Sequence, residues 1–157
     1  MLEKIIRQYY DAIFRYCYQL IGSRAVAEDL CQDTFTSFIG HYAEMRNMSK
    51  AKNYLYTIAK NKCKDYYKKK KPIFMEELPE QEGDERMEEL VIVRQMVMSL
   101  PEEFREAVVL RYFQNLKYPE IAAILGISLS LAKYRVKKGL ELLSAAETEG
   151  RHETKSD

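Results

Sequence analysis

Residues that interrupt a helix are scarce in this sequence: its 157 residues include six glycines and four prolines. Long stretches without either favour helices over a many-stranded sheet, which needs frequent turns. Cysteine is scarce as well. Cys17, Cys31 and Cys63 are odd in number and widely spaced, form no CxxC pair, and His41 and His152 lie away from any Cys-rich spacing. Zinc needs about four soft ligands drawn together, so no metal or other cofactor is expected. Each cysteine falls within an apolar helical pattern and reads as small core filler in a reducing compartment. No run of about 20 apolar residues occurs, and no apolar stretch with a cleavage site opens the chain. A cytoplasmic location is the simplest expectation. A glycine-rich phosphate loop and a nucleophile motif are also missing, so neither an enzyme nor a small-molecule substrate is expected.

What the sequence does have is charge. Charged residues make up 31%, yet the formal net charge is only +1. The average hides two adjoining blocks. Lys60 to Lys71 holds seven lysines and one aspartate, and Pro72 to Leu90 holds eight acids and one arginine. Pro72, Pro79 and Gly83 interrupt the acidic block. Like charges repel and little apolar surface is available there, so it reads as a linker.

Apolar residues recur at helical spacing on both sides of it. Leu2 to Ile21 carries Ile6, Tyr9, Tyr10, Ile13, Tyr16, Cys17 and Leu20 on one stripe. Gly22 ends that helix and Ser23 can cap the next, from Arg24 to about Tyr42. There Ala27, Leu30, Cys31, Thr34, Phe35, Phe38 and Ile39 form the stripe, and Glu28, Asp29, Gln32, Asp33 and Thr36 fall away from it. Polar residues from Glu44 to Ser49 suggest a loop. A third helix, from about Lys50 to Lys70, puts Ala51, Leu55, Ile58, Ala59 and Tyr66 on one face, with Asn53, Thr57, Lys60, Asn61, Lys64 and Lys68 opposite. Tyr54 and Tyr56 flank the polar face. Lys62 interrupts the apolar one, and its stem would lie along the core.

After the linker, Met87 to Met98 reads as a helix, and Pro101 stands where the next can start without an N–H. Pro119 opens a short helix with Ile121, Ala122, Ile124 and Leu125 inward. Gly126 supplies a left-handed turn. Ser128 can cap a last helix with Ala132, Val136, Gly139, Leu140 and Leu143 on its stripe. Thr148 to Asp157 is polar and reads as a frayed tail. Pro101 to Leu143 is thus expected to be a helix-turn-helix whose second helix enters the DNA major groove. Ser130, Tyr134, Lys137 and Lys138 point away from the stripe, flanked by Leu131 and Lys133. Lysines neutralise phosphates. An exposed Leu131 could touch a thymine methyl.

Leu100-Pro-Glu-Glu-Phe-Arg-Glu-Ala-Val-Val-Leu-Arg-Tyr-Phe, followed by Glu120-Ile-Ala-Ala-Ile-Leu-Gly-Ile-Ser, resembles region 4 of bacterial extracytoplasmic-function (ECF) sigma factors. Ala27-Glu-Asp-Leu-Cys-Gln-Asp-Thr-Phe, and Tyr54-Leu-Tyr-Thr-Ile-Ala-Lys-Asn with Asp65 four residues on, resemble that family's region 2. The resemblance implies an all-α chain of two small helical domains joined by an acidic linker, the carboxy-terminal one a helix-turn-helix. Residues 1–71 would be the region 2 domain, 72–89 the flexible linker, 90–147 the region 4 domain and 148–157 a polar tail. It further implies binding to core RNA polymerase, through its β′ clamp helices and β subunit, to promoter DNA, and to an anti-sigma factor where one exists.

Residue by residue, Asp29, Gln32 and Asp33 match positions that dock on polymerase. Tyr54, Thr57, Lys60, Asn61 and Lys64 would bind the −10 element, and Ser130, Leu131, Lys133, Tyr134, Lys137 and Lys138 the −35 element. The family usually has Trp at Tyr54 and an apolar residue at Lys62. It often has a small residue and Thr at Ser130 and Leu131, and Ser at Tyr134. Those last differences imply an unusual −35 sequence. The alternative is a stand-alone helix-turn-helix regulator, which would bind duplex DNA alone and ignore the polymerase.

Overall fold

Two short caps fix where the first helices meet. In the computed structural model, α1 (Leu2–Ile21) stops at Gly22, whose φ of 81° is left-handed and whose N–H donates to the Tyr18 carbonyl at 2.8 Å. Ser23 follows in an extended conformation and accepts the Val26 N–H on its Oγ at 3.3 Å, starting α2 (Arg24–His41). That bond satisfies one of the donors a helix start leaves open. The structure describes residues 2–42, 48–69 and 85–155, and side chains within 2–42, 50–69 and 92–146. Among them are seven α-helices and no strand. They fall into two compact units, divided between Glu82 and Gly83.

The first unit holds α1, α2 and α3 (Met48–Lys69), each packed on the other two. Ile5, Ile13, Cys17, Phe38, Leu55 and Ala59 are buried at the centre. An aromatic pair joins each pair of helices: Tyr10 with Phe35 at 5.4 Å, Tyr16 with Tyr56 at 5.3 Å, and Phe38 with Tyr54 at 6.2 Å between ring centroids. Such pairs are worth about 0.5–1.5 kcal/mol beyond the area they bury. All three cysteines are free and buried. A hydrogen bond with Cys63, reinforced by burial, pushes the Cys17 thiol up. Burial, with the nearby Cys17, pushes Cys31 up to about 12. Both are therefore protonated at neutral pH and pack as small apolar groups.

Two features here differ from the sequence expectation. Helix α3 starts at Met48, inside the expected Glu44–Ser49 loop, whose first part lies outside the described residues. Tyr56 does not flank the polar face but is only 2% exposed, its ring edge-on to Tyr16. Helical spacing places position 56 at the border of the stripe, and the large phenol ring turns inward to fill the gap against α1.

The second unit contains α4 (Glu85–Met98), α5 (Glu102–Val108), a π-helical turn (Val109–Phe113), α6 (Tyr118–Leu125) and α7 (Leu129–Lys155). Helix α4 begins at Glu85, so the last residues of the expected 72–89 linker are helical; the rest of that linker lies outside the described residues. Pro101 caps α5 instead of occupying its first turn, because its ψ of 146° is extended. Ala107 to Leu110 are all buried, so this segment is interior and not one-sided. The wider turn closes with Gln114 N–H donating to the Val109 carbonyl at 3.1 Å. Asn115 then adopts a φ of 56°, which asparagine tolerates better than most residues. Helix α7 continues to Lys155, so the backbone of the expected tail is helical from Thr148 to Lys155, and its last two residues lie outside the described residues.

Candidate nucleic-acid interface

In the first unit, one side of α2 is spoken for by the core: Ala27, Cys31, Thr34, Phe35 and Phe38 are buried. Glu28, Asp29, Gln32, Asp33 and Thr36 are consequently exposed. Asp29, Gln32 and Asp33 stand at i, i+3 and i+4, which places them side by side. Gln32 is held by a side-chain hydrogen bond with Tyr10, whose phenol is pushed up by burial and the nearby Cys31. The patch therefore combines one amide with two carboxylates. Leu30 is half-buried and Ile39 exposed, so the apolar stripe is narrower than its spacing suggests.

On α3, the expected −10 residues are not equally presented. Asn61 is exposed, whereas Tyr54, Thr57, Lys60 and Lys64 are half-buried. The Tyr54 ring lies between Phe38 and His41, with centroids 6.2 Å from each. It packs against both and, being half-buried, keeps part of its surface open. Thr57 donates its hydroxyl to the Asn53 carbonyl at 2.8 Å, leaving its oxygen lone pairs to accept. Lys62 is half-buried, consistent with a stem lying along the core.

In the second unit, Glu120 accepts the Lys117 N–H at 3.0 Å and starts α6. Ile121, Ala122 and Ile124 are buried from it. Gly126 caps α6 at φ 66° and ψ 39°, the left-handed conformation expected of it. Ser128 Oγ accepts the Leu131 N–H at 3.1 Å and opens α7. Ala132, Val136 and Gly139 face inward. Ser130, Leu131, Lys133, Tyr134 and Lys137 are exposed, and Lys138 is half-buried. The structure thus brings the expected −35 residues to the outer side of one helix.

A cluster beside that helix was not read from the sequence. The Arg111 guanidinium lies 4.3 Å from the Tyr118 ring centroid and donates to the Leu116 carbonyl at 3.0 Å. Lys133 Nζ lies 6.0 Å from the same ring. The ring quadrupole attracts both cations. Arg111 and Lys133 are 22 positions apart, so no local spacing signals the cluster. Among the described residues, no group of three or more His, Cys, Asp or Glu is placed to hold a metal ion.

Comparison with known proteins agrees with both units. Residues 5–73 match the family model for Sigma-70 region 2, and residues 90–143 the model for Sigma-70, region 4. These two matches define a sigma-70-type transcription initiation factor. The RNA polymerase sigma factor YlaC of Bacillus subtilis is 32% identical over 141 residues, covering 82% of each chain. The ECF RNA polymerase sigma factor SigW of the same organism is 28% identical over 158 residues, covering 88% of this chain and 84% of that one. The chain belongs to the ECF family of RNA polymerase sigma factors. The solved structure of the sigma factor RpoE with the anti-sigma factor NepR from Bartonella quintana shares the fold, with a TM-score of 0.73, 24% identity, and coverage of 91% of this chain and 94% of that one.

Proposed function

We propose that this chain binds core RNA polymerase and directs it to promoters, with the two helical units dividing the work. The single observation carrying this is that regions 2 and 4 occur in order, each on its own unit, with complementary exposed surfaces. The acidic patch of Asp29, Gln32 and Asp33 docks on the β′ clamp helices of the polymerase. The face of α3 bearing Tyr54, Thr57, Lys60, Asn61 and Lys64 holds the −10 element as it opens, where unstacked bases and a phosphate backbone suit aromatics beside lysines. Helix α7 enters the major groove of the −35 element. Residues 72–84, acidic and proline-interrupted, connect the units. The chain positions DNA and the polymerase performs the chemistry. Such a factor works in the cytoplasm, where the polymerase is; no helix among the described residues is long and apolar enough to cross a membrane. RpoE was crystallised with an anti-sigma factor, and a protein of that class is the proposed inhibitor of this chain.

The test is run-off transcription with purified core polymerase on genomic fragments. Promoter-specific transcripts that depend on the added chain are expected. Transcripts identical with and without it would refute the assignment, and tight binding to duplex DNA without polymerase would favour a stand-alone regulator. A finer check concerns Lys137, exposed on the outer face of α7. Lys137→Ala should weaken −35 binding by a similar factor on every sequence and lower the salt dependence of binding by about one unit of slope. An unchanged slope in a salt titration would remove Lys137 from the phosphate contacts.

A further inference from the structure

The outer face of α7 offers an unusual set of groups to a major groove. Leu131 and Tyr134 are 36% and 55% exposed, and Leu129, at the helix start, 44%. A single exposed apolar side chain needs no explanation. Here they interleave with Ser130, Lys133 and Lys137 on the surface assigned to DNA. Residues 128–138 contain no Asn, Gln, Asp or Glu, and their one arginine, Arg135, is half-buried. The amides that grip adenine in a bidentate way and the carboxylates that accept from cytosine are thus missing from the exposed face, and lysine is the one side chain left there that could reach guanine. What remains is hydroxyl, ammonium and apolar surface. The ammonium of Lys133 is already turned toward the Tyr118 ring.

The one apolar feature of the major groove is the C5 methyl of thymine. Leu131 and Tyr134 are three residues apart, so they lie about 60° apart around the helix and about 4.5 Å apart along it. That rise is close to the ~3.4 Å between stacked bases of a strand, so the two side chains are spaced to reach neighbouring base steps. We infer that Leu131 and Tyr134 read thymine methyl groups, and that the −35 element of this factor is specified chiefly by thymines facing the first two turns of α7. This rests on the assignment of α7 to the −35 element. The lysines supply affinity without sequence preference, and the methyl contacts supply the preference.

Deoxyuridine tests this directly, because it differs from thymidine only in lacking the methyl. The holoenzyme would be bound to a promoter it transcribes, with each −35 thymidine replaced in turn. One or two replacements are expected to weaken binding about three- to fivefold each, the order set by burying one methyl. In Leu131→Ala or Tyr134→Ala holoenzyme, the matching position should bind thymidine and deoxyuridine equally. Both residues are exposed, so the variants should fold, which circular dichroism checks. Binding that ignores every deoxyuridine, yet falls when the −35 base pairs are exchanged, would overturn the inference and leave the −35 assignment standing. Binding indifferent to all −35 exchanges would overturn the assignment and the inference together.

Discussion

Replacing Gly139 by valine is expected to destabilise the carboxy-terminal unit strongly. Gly139 lies on the buried side of α7 where it crosses α5. A β-carbon there would sit 2.5 Å from Val108 Cγ2 and 3.4 Å from Phe104 Cβ. The first distance is shorter than real carbon contacts allow, and Val108 is itself buried and stiff at χ1. Two effects oppose each other. Glycine inside a helix costs about 0.5–1 kcal/mol relative to alanine, so filling the position relieves the backbone. Overpacking costs about 1–3 kcal/mol. For Gly139→Ala the two nearly offset, and a loss of about 0–2 kcal/mol is expected. Gly139→Val adds two more methyls at the crossing and loses helix propensity, so the loss should exceed about 3 kcal/mol. A unit of this size holds only about 0.1 kcal/mol per residue of net stability, so that loss removes much of it. Thermal unfolding of the full chain, followed by circular dichroism, is the measurement. Val108→Ala should partly rescue Gly139→Val, because neighbours that clash are not additive. A Gly139→Val protein with the parent's Tm would show that α5 and α7 do not cross this closely.

Reversing one charge on α2 should have a comparable effect on function and almost none on folding. Asp33→Lys changes an exposed residue whose neighbours on the patch are Asp29 and Gln32. Exposed substitutions usually alter stability by no more than about 0.5 kcal/mol. Where docking buries a hydrogen-bonded charge pair, removing one partner costs about 2–5 kcal/mol, and reversal adds repulsion. Affinity for core polymerase should therefore fall by about 100-fold or more, with transcription lost in parallel. The loss should shrink with rising salt, as exposed charges are screened. Fluorescence anisotropy of labelled protein against core polymerase reads the affinity. Wild-type affinity in Asp33→Lys would move the docking surface elsewhere.

Several boundaries were readable because the chemistry that sets them is local. Gly22, Ser23, Gly126 and Ser128 act through their own φ angle or a hydroxyl reaching three residues on, and each does what its residue type implies. The outward faces of α2 and α7 followed from helical period, since burying Ala27, Cys31 and Phe35, or Ala132 and Val136, leaves the opposite side in water. Where two faces meet, period alone was not enough. Helical spacing puts Tyr54 and Tyr56 both beside the polar face, yet Tyr56 turns into the core and Tyr54 stays half open. The difference comes from Tyr16, which meets Tyr56 edge-on and lies 40 positions away.

By itself the sequence determined that this protein is all-helical and divided by an acidic stretch, and that its second half is a helix-turn-helix. Those properties sum over short windows: composition, period, caps and blocks of like charge. Its resemblance to a family supplied the role of each half. Tertiary structure decided which side chains share a surface. It set Arg111 against Tyr118 and Lys133, closed the π turn at Val109, pressed Gly139 onto Val108, and left Leu131 and Tyr134 in solvent. Packing depends on the shapes of residues far apart in the chain, and close-packed interiors admit few arrangements of them. That information resides in no local window.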